Sequence, residues 1–567
     1  MAKHILKKNN KLYITLLVAW TVLATFFLLV CIREYEYAST GVVKALLTLN
    51  ALFILYFWLN GTKDVVYVLW YYLLRKKLEK YDRKVHEEKP VENVRVSLLY
   101  CTCNDFNGEA LEECMHQDYP NCNYVILDDS SKKEYIDAVD KFAVRHMEVE
   151  VVRRSDHKGF KAGNLNNYLM NRKDEYDYIA ILDSDEVVPD NFVSDCLKFF
   201  NYYSNVGIVQ CSHKSSNNIN PFMNLFHIGV DSHWPTYQTV KHHNGFMSLL
   251  GHGAVISKEC LETSGYFDEV VAEDLVFCIK ARTQGYMCAF NISTVCEEEY
   301  PIDYLAFKKR HNKWTQGNME FIKRYTLPIL KSKMAWFEKM DIFLFTYNLP
   351  LTAFFTLYIL INVSILPLLG YTLHYPAWLI VPTIVFFVAP MANDFITYTF
   401  TDRKLPLLHV LKYMFCTFVL YGSMFWVSLK ASFLGMFPKT KAKFLVTPKD
   451  THNISFKEAV FFNKDELAFA AVLSTISISC SHSILPVLLI TIPSVLCVWL
   501  TTMSNIKSTP EAKKACHKVN RQSFFLSIDE LRQATPLPPV QPKVFAIGNI
   551  ADFASAPSRK EGISHAG

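Results

Sequence analysis

Asp183 and Asp185 stand one residue apart at the end of the apolar run YIAILD, with Glu186 directly after them. Three carboxylates in four residues repel one another, so a buried strand that ends this way reads as one delivering oxygen ligands to a cation at its C-terminal edge. The other reading of the same residues is an acidic, solvated loop. Further along come paired acids in VILDDSS (Asp128, Asp129), a lysine before a small-residue turn in HKGFKAGNLN (Lys161), paired acids in VAEDLVF (Glu273, Asp274) and a basic-aromatic cluster in KKRHNKWTQGN (Arg310, Lys313, Trp314). Each pattern alone is common: Asp128 before Ser130 is open also to a plain turn-forming role, and Lys161 to that of a solvated cation, although the Ala-Gly-Asn after it allows close backbone approach.

These groups need elements to hold them. Between about residues 95 and 335 short β-rich runs (VRVSLLY, NYVILDD, EVEVVRR, YIAILD, VGIVQC) alternate with helical or polar stretches, the pattern of an open, mostly parallel α/β sheet. On either side lie long apolar runs: 13–32 and about 43–60, continuing toward 74, before it, and 341–370, 377–399, 407–435, 466–480 and 483–502 after it. Each is near the ~20 residues that cross a bilayer. With 51% hydrophobic residues and a mean hydropathy of +0.10, part of the chain belongs in a membrane. The first run is followed at once by a second and by no small-residue cleavage site, so it reads as a span rather than a signal peptide. Lys3, Lys7, Lys8 and Lys11 before the first run and RKKLEKYDRK after the second put both ends of this hairpin in the cytoplasm by the positive-inside rule.

A net charge of +5, spread along the chain, gives no basic surface for nucleic acid. The 15 cysteines form no CxxC pair and no zinc spacing, which makes reduced thiols the expectation. Cys101 and Cys103, in a strand-like run, read as small apolar packing groups.

In this order, and between membrane segments, the motifs resemble those of the membrane-integrated, processive family 2 glycosyltransferases, of the type represented by cellulose, chitin and hyaluronan synthases. The likeness runs over about residues 15–500 and is nearest to cellulose synthase catalytic subunits, because KFLVTPK (443–449) matches their gating-loop pattern F-x-V-T-x-K. The resemblance implies an α/β GT-A type cytosolic catalytic domain inserted between transmembrane helices. Its expected divisions are 1–75, a transmembrane hairpin; 90–335, the catalytic domain; 340–502, the channel region with an interfacial helix and a gating loop at 436–462; and 505–567, a flexible cytosolic tail. The segment 407–435 carries His409, Lys412, Ser423, Ser428, Lys430 and Ser432 and is expected to lie flat in the interface, which keeps the gating loop and both termini cytosolic.

The resemblance also implies residue roles. Asp183 and Asp185 match the family D-x-D and would hold Mg²⁺ or Mn²⁺ against the donor's phosphates, while Glu186 is left in the solvated loop. Thr102, Asn104, Asp128, Asp129, Lys161 and Asp183 would surround the nucleotide, joined by Arg310, Lys313, Thr447 and Lys449. Asp274 matches the Asp of T-E-D, with Ala272 in place of Thr, and is the expected general base, with Glu273 as its catalytic neighbour. Trp314 would floor the acceptor sugar. RHNKW departs from the family's Q-x-x-R-W at Arg310 and Lys313, and Arg at the first position is shared with ceramide glucosyltransferases. The implied activity is polymerisation of a β-glucan, such as a capsular one, from UDP-glucose with inversion and export through the protein's own helices in the plasma membrane. The partners are then a UDP-sugar donor, a growing polysaccharide acceptor and membrane lipids, with no nucleic acid. A non-processive transfer to a membrane lipid, another UDP-sugar of the GlcNAc type and a catalytically dead scaffold are the competing readings.

Overall fold

The computed structural model describes residues 3–437 and 453–505. The expected gating-loop contacts Thr447 and Lys449, and the 505–567 tail beyond its first residue, lie outside the described residues.

The α/β sheet of GT-A type is present and mostly parallel. Its strands are β1 (Val96–Thr102), β2 (Cys122–Asp128), β3 (Val149–Arg153), β4 (Tyr178–Asp183), β5 (Val206–Ser216), β6 (Ala254–Ser257) and β7 (Met287–Glu299). The order across the sheet is β3-β2-β1-β4-β6-β5-β7, with β6 antiparallel to both of its neighbours. β1 to β5 coincide with the runs read from the sequence; β6 and β7 are additional. Alternate residues face opposite ways along a strand. Leu99, Val125, Leu127, Ile179 and Ile181 therefore pack on one face with Ala162, Leu165 and Leu169 of the helix Phe160–Asn171. Leu98, Tyr100, Ile126, Ala180 and Leu182 pack on the other with Phe192, Val193 and Leu197 of Phe192–Tyr202. Because both faces are covered, the strands read as unbroken apolar runs, and their polar residues collect at the C-terminal edge.

Register places that edge. Cys101 of β1 is opposite Asp183 of β4, and Thr102 is opposite Asp128 of β2. The two acidic strand ends therefore flank one central strand, where open α/β sheets bind ligands.

Five helical segments among the described residues are long and apolar enough to cross a membrane: Lys11–Tyr37, Gly41–Lys77, Ala377–Phe400, Leu407–Met436 and Leu485–Thr502. The segment expected to lie flat is among them, divided into Leu407–Gly422 and Phe425–Met436. Two expected runs are not. The stretch 341–370 is spread over Trp336–Thr346, Asn348–Leu360 and shorter turns, and 466–480 lies in Lys464–Ser481. The helix Tyr304–Lys331 joins the sheet domain to this apolar half: His311 Nε2 lies 2.7 Å from Ser428 Oγ, and Lys308 pairs with the buried Glu466 at 2.6 Å.

Candidate active site

Asp128 and Asp129 end β2 beside β3, where Asp128 is in register with Arg153. Arg153 Nε donates to Asp128 Oδ2 at 2.7 Å, and the other oxygen of Asp128 accepts the Ser130 N–H at 2.9 Å. Arg154 grips Asp129 with Nε at 2.9 Å and Nη2 at 2.6 Å, while His157 Nδ1 lies 3.0 Å away. Two consecutive arginines thus neutralise two consecutive acids, and Arg154 does so through a bidentate fork. Asp128 makes the turn the sequence allowed, leaving Asp129 and Arg154 as the outer pair. Asn104, in a left-handed conformation (φ 60°), spends its carboxamide on the neighbouring loop, accepting from the Ser131 and Lys132 N–H groups and donating to Ser131 Oγ. Thr102 Oγ1 donates to Asp105 Oδ1 at 3.0 Å. Both residues sit at the expected strand edge, with their side chains committed to its shape.

Lys161 lies in the first turn of Phe160–Asn171. Its ammonium donates to the Asp183 carboxylate and to the Gly251 carbonyl, the latter at 2.8 Å. Burial works to lower its pKa, but Asp183 outweighs that and holds Lys161 charged. Asp183 keeps 41% of its side chain exposed and Asp185 is partly buried, so two hard oxygen donors, one residue apart, remain reachable from solvent. That donor set suits Mg²⁺ or Mn²⁺.

Glu273 and Asp274 open the helix Glu273–Thr283, and Asp274 Oδ1 accepts the Leu275 N–H at 2.7 Å. Burial and the like charge of Asp274 push Glu273 up to about 8 against the pull of Lys161 and Lys313, and burial raises Asp274 as well. Burial thus makes Asp274 a stronger base than an ordinary aspartate, which suits it to take a proton. Gly251 makes the approach possible. Its φ is +93°, and a Cβ there would stand 3.3 Å from Asp274 Oδ2. Because the Gly251 carbonyl also receives Lys161, the β4 acids and the Asp274 pair meet at one place although 91 residues separate Asp183 from Asp274.

Lys313 faces the same carboxylates. Burial lowers its pKa, and Asp183 and Glu273 oppose the shift. Arg310, one turn back on Tyr304–Lys331, instead lies over aromatic rings, with its guanidinium 4.6 Å from the Trp314 ring centre, 5.4 Å from Tyr300 and 5.5 Å from Phe307. Arg310 is thus a supporting plane for Trp314, which stays 45% exposed.

Glu186 corrects the sequence reading. It is 0% exposed, accepts from the Asp183 and Gly253 N–H groups, and lies 2.9 Å from His213 Nε2 and 3.4 Å from His252 Nδ1. Burial raises its pKa, but the two imidazoles overcome this and hold Glu186 down to about 2, while His252 is pushed up to about 10 despite its own burial. Sequence spacing gave no hint of these partners, 27 and 66 residues further on. Arg153 and Arg154 were also missed. Their signal was present: consecutive arginines ending one strand-like run, after consecutive acids ending the run before it.

Residues 178–429 match the family model described as glycosyl transferase family group 2. The chain is 25% identical over 232 residues to "Probable glucomannan 4-beta-mannosyltransferase 11" of Oryza sativa subsp. japonica, covering 39% of this chain and 40% of that protein. It is 24% identical over 223 residues to "Probable glucomannan 4-beta-mannosyltransferase 3" of Arabidopsis thaliana, covering 37% and 40%. The chain thus spans about 40% of the length of these curated relatives. Among solved structures, the mannosyltransferase PcManGT from Pyrobaculum calidifontis, in complex with GDP-Man and Mn²⁺, aligns with a TM-score of 0.42 and 18% identity, covering 69% of this chain and all of that one. Residues 178–429, which hold Asp183, Asp185, Asp274 and Trp314, are a glycosyl transferase family group 2 domain; of the helices long and apolar enough to cross a membrane, Lys11–Tyr37 and Gly41–Lys77 precede it, Ala377–Phe400 lies within it, Leu407–Met436 overlaps its end and Leu485–Thr502 follows it.

Proposed function

We propose that this protein transfers a hexose from a nucleotide-sugar to a growing β-glycan, inverting the anomeric carbon, and passes the polymer through its own membrane helices. The observation that carries the reading is the meeting of Asp183, Lys161, Gly251 and Asp274 at one strand edge. Asp183 and Asp185 would hold Mg²⁺ or Mn²⁺ against the donor diphosphate, where a divalent cation neutralises the charge that develops on the departing nucleotide. Lys161 and Lys313 add positive charge beside those phosphates. Asp129 and Arg154, with Thr102 and Asn104 shaping the edge, face the nucleoside. Asp274 takes the proton from the acceptor hydroxyl as that oxygen attacks the anomeric carbon. The C1–O bond to the diphosphate breaks on the opposite side, so an α-linked donor gives a β-linked product. Glu273, kept protonated by burial and by the charge of Asp274, stands beside the base, and Trp314 stacks on the acceptor pyranose. The sheet domain, the termini and the 436–462 loop lie on the cytosolic side of the plasma membrane.

The donor in the first reading is UDP-glucose. A second reading, GDP-mannose, is favoured by the curated relatives, which are named as mannosyltransferases. Purified full-length protein incubated separately with UDP-glucose, UDP-GlcNAc and GDP-mannose, with Mn²⁺ or Mg²⁺, followed by linkage analysis, tests both. Polymer from UDP-glucose supports the first reading, polymer from GDP-mannose alone the second, and transfer from none of them overturns the proposal.

A further inference from the structure

Glu186 lies at the centre of a closed circuit that the roles above do not use. Its Oε2 accepts the N–H of Asp183 at 3.2 Å and of Gly253 at 3.1 Å, while Oε1 faces His213 Nε2 at 2.9 Å and His252 Nδ1 at 3.4 Å. Its own N–H donates to the Asp183 carbonyl at 3.1 Å, closing the turn that carries Asp185. On the other side of the circuit Lys161 joins the Asp183 carboxylate to the Gly251 carbonyl, and Gly251 is the residue whose backbone approaches Asp274. The Asp183–Glu186 turn and the Gly251–Gly253 loop are thus tied twice, once by a lysine at the substrate side and once by a carboxylate buried behind it.

We propose that Glu186 is a positioning residue that fixes the spacing between the Asp183–Asp185 pair and Asp274 by bridging the backbone of the Asp183–Glu186 turn to that of the Gly251–Gly253 loop. The proposal rests on the function proposed above for those acids. A buried carboxylate is costly unless its oxygens are matched, and here each oxygen faces two partners on different elements. Truncating it leaves two backbone N–H groups and an imidazole without their acceptor, so both segments lose the same anchor. Glu186, His213 and Cys296 also bring three donor atoms within 4.8 Å of one another, a set that could hold a metal ion. The geometry favours the hydrogen-bonded bridge, because Oε2 already takes two N–H groups and a Cβ at Gly253 would fall 2.4 Å from both Glu186 Oε1 and the His213 ring, which leaves little free space there.

Hydrogen–deuterium exchange on the full-length protein, parent against Glu186→Ala and Glu186→Gln, tests the bridge without relying on turnover. Peptides covering 183–187 and 250–254 are expected to exchange at least tenfold faster together in Glu186→Ala, with β1 and β2 within twofold of the parent. Glu186→Gln, whose carbonyl oxygen can still accept both N–H groups, should restore protection in part and serves if the alanine variant does not fold. Loss of protection in one segment only, or in neither, overturns the proposal. In sugar transfer, Glu186→Gln is expected to lower kcat at least tenfold with the donor KM within threefold; a lower Tm with unchanged kcat would mean a merely structural residue and also overturns it. If the parent transfers no sugar from any donor, the proposed function fails and the exchange result still decides the bridge. One equivalent of zinc in the purified parent, lost in His213→Ala and Cys296→Ser, would show a metal centre instead.

Discussion

Lys161 donates to Asp183 while its second hydrogen bond holds the Gly251 carbonyl, so one buried cation spans the two halves of the site. Removing the ammonium leaves the Gly251 carbonyl without its donor and Asp183, 41% exposed, to solvent, so the loss falls on the geometry of the site more than on stability. Lys161→Met, similar in length but neutral, is expected to lower kcat/KM for sugar transfer by about 10² or more. Steady-state kinetics check this, and a fall below threefold would contradict the assignment.

Asp185→Ala should abolish Mn²⁺-dependent binding of UDP or GDP. Asp183→Ala should abolish the same binding and also lower the Tm, since buried Lys161 loses its partner. Calorimetry with nucleotide and Mn²⁺, together with thermal unfolding, separates the two effects. Unchanged affinity in both variants would contradict the metal assignment.

The Glu273–Asp274 pair sets the pH dependence. Burial raises Asp274, so its basic form is lost at a higher pH than that of an ordinary aspartate as pH falls, and kcat/KM should fall with it. Glu273, protonated up to about 8, puts no charge beside Asp274 below that pH, so Glu273→Gln should leave the acid limb in place. The stability effect has the opposite sense. A raised carboxyl favours the neutral fold, a contribution present at low pH and lost as pH rises through about 8, so Glu273→Gln should raise the Tm at pH 8.5 more than at pH 5. An acid limb where an ordinary aspartate titrates, at about 4, would contradict the effect of burial on Asp274.

Arg310 lies over Trp314 at 4.6 Å, a contact worth about 0.5–2 kcal/mol. Arg310→Gln should raise the KM for a soluble acceptor oligosaccharide by about 2- to 30-fold and leave the donor KM unchanged. Trp314→Ala should reduce extension more severely, again without weakening nucleotide binding. A rise in donor KM with unchanged acceptor KM would return Arg310 to the phosphates.

How far the sequence could be read followed from the range of each interaction. β1 to β5 were legible because a strand covered on both faces writes an unbroken apolar run, and the acids at 128–129 and 183–185 were legible because such runs end at a ligand edge. β6 was hidden: four residues, Ala254–Ser257, after the glycines of the Gly251–Gly253 loop, paired antiparallel between strands that are distant in sequence. Glu186 was misread for a related reason. One residue from Asp185 it looks like the same acidic cluster, but the turn sends it into the core to meet His213 and His252. Arg310 was assigned by its charge, whereas the helix Tyr304–Lys331 sets it one turn from Trp314 and Phe307 and against the ring of Tyr300, which precedes that helix.

The role of Asp274 is tested most directly by replacing it with Asn, which keeps the side chain's shape and removes its basicity. With Mn²⁺ and the donor that the parent uses, Asp274→Asn is expected to lose about 10² to 10⁴ in product formation while binding the nucleotide within threefold of the parent, because the base acts on the acceptor hydroxyl and not on the diphosphate. Polymer synthesis within tenfold of the parent, or nucleotide affinity lost in step with activity, would contradict it.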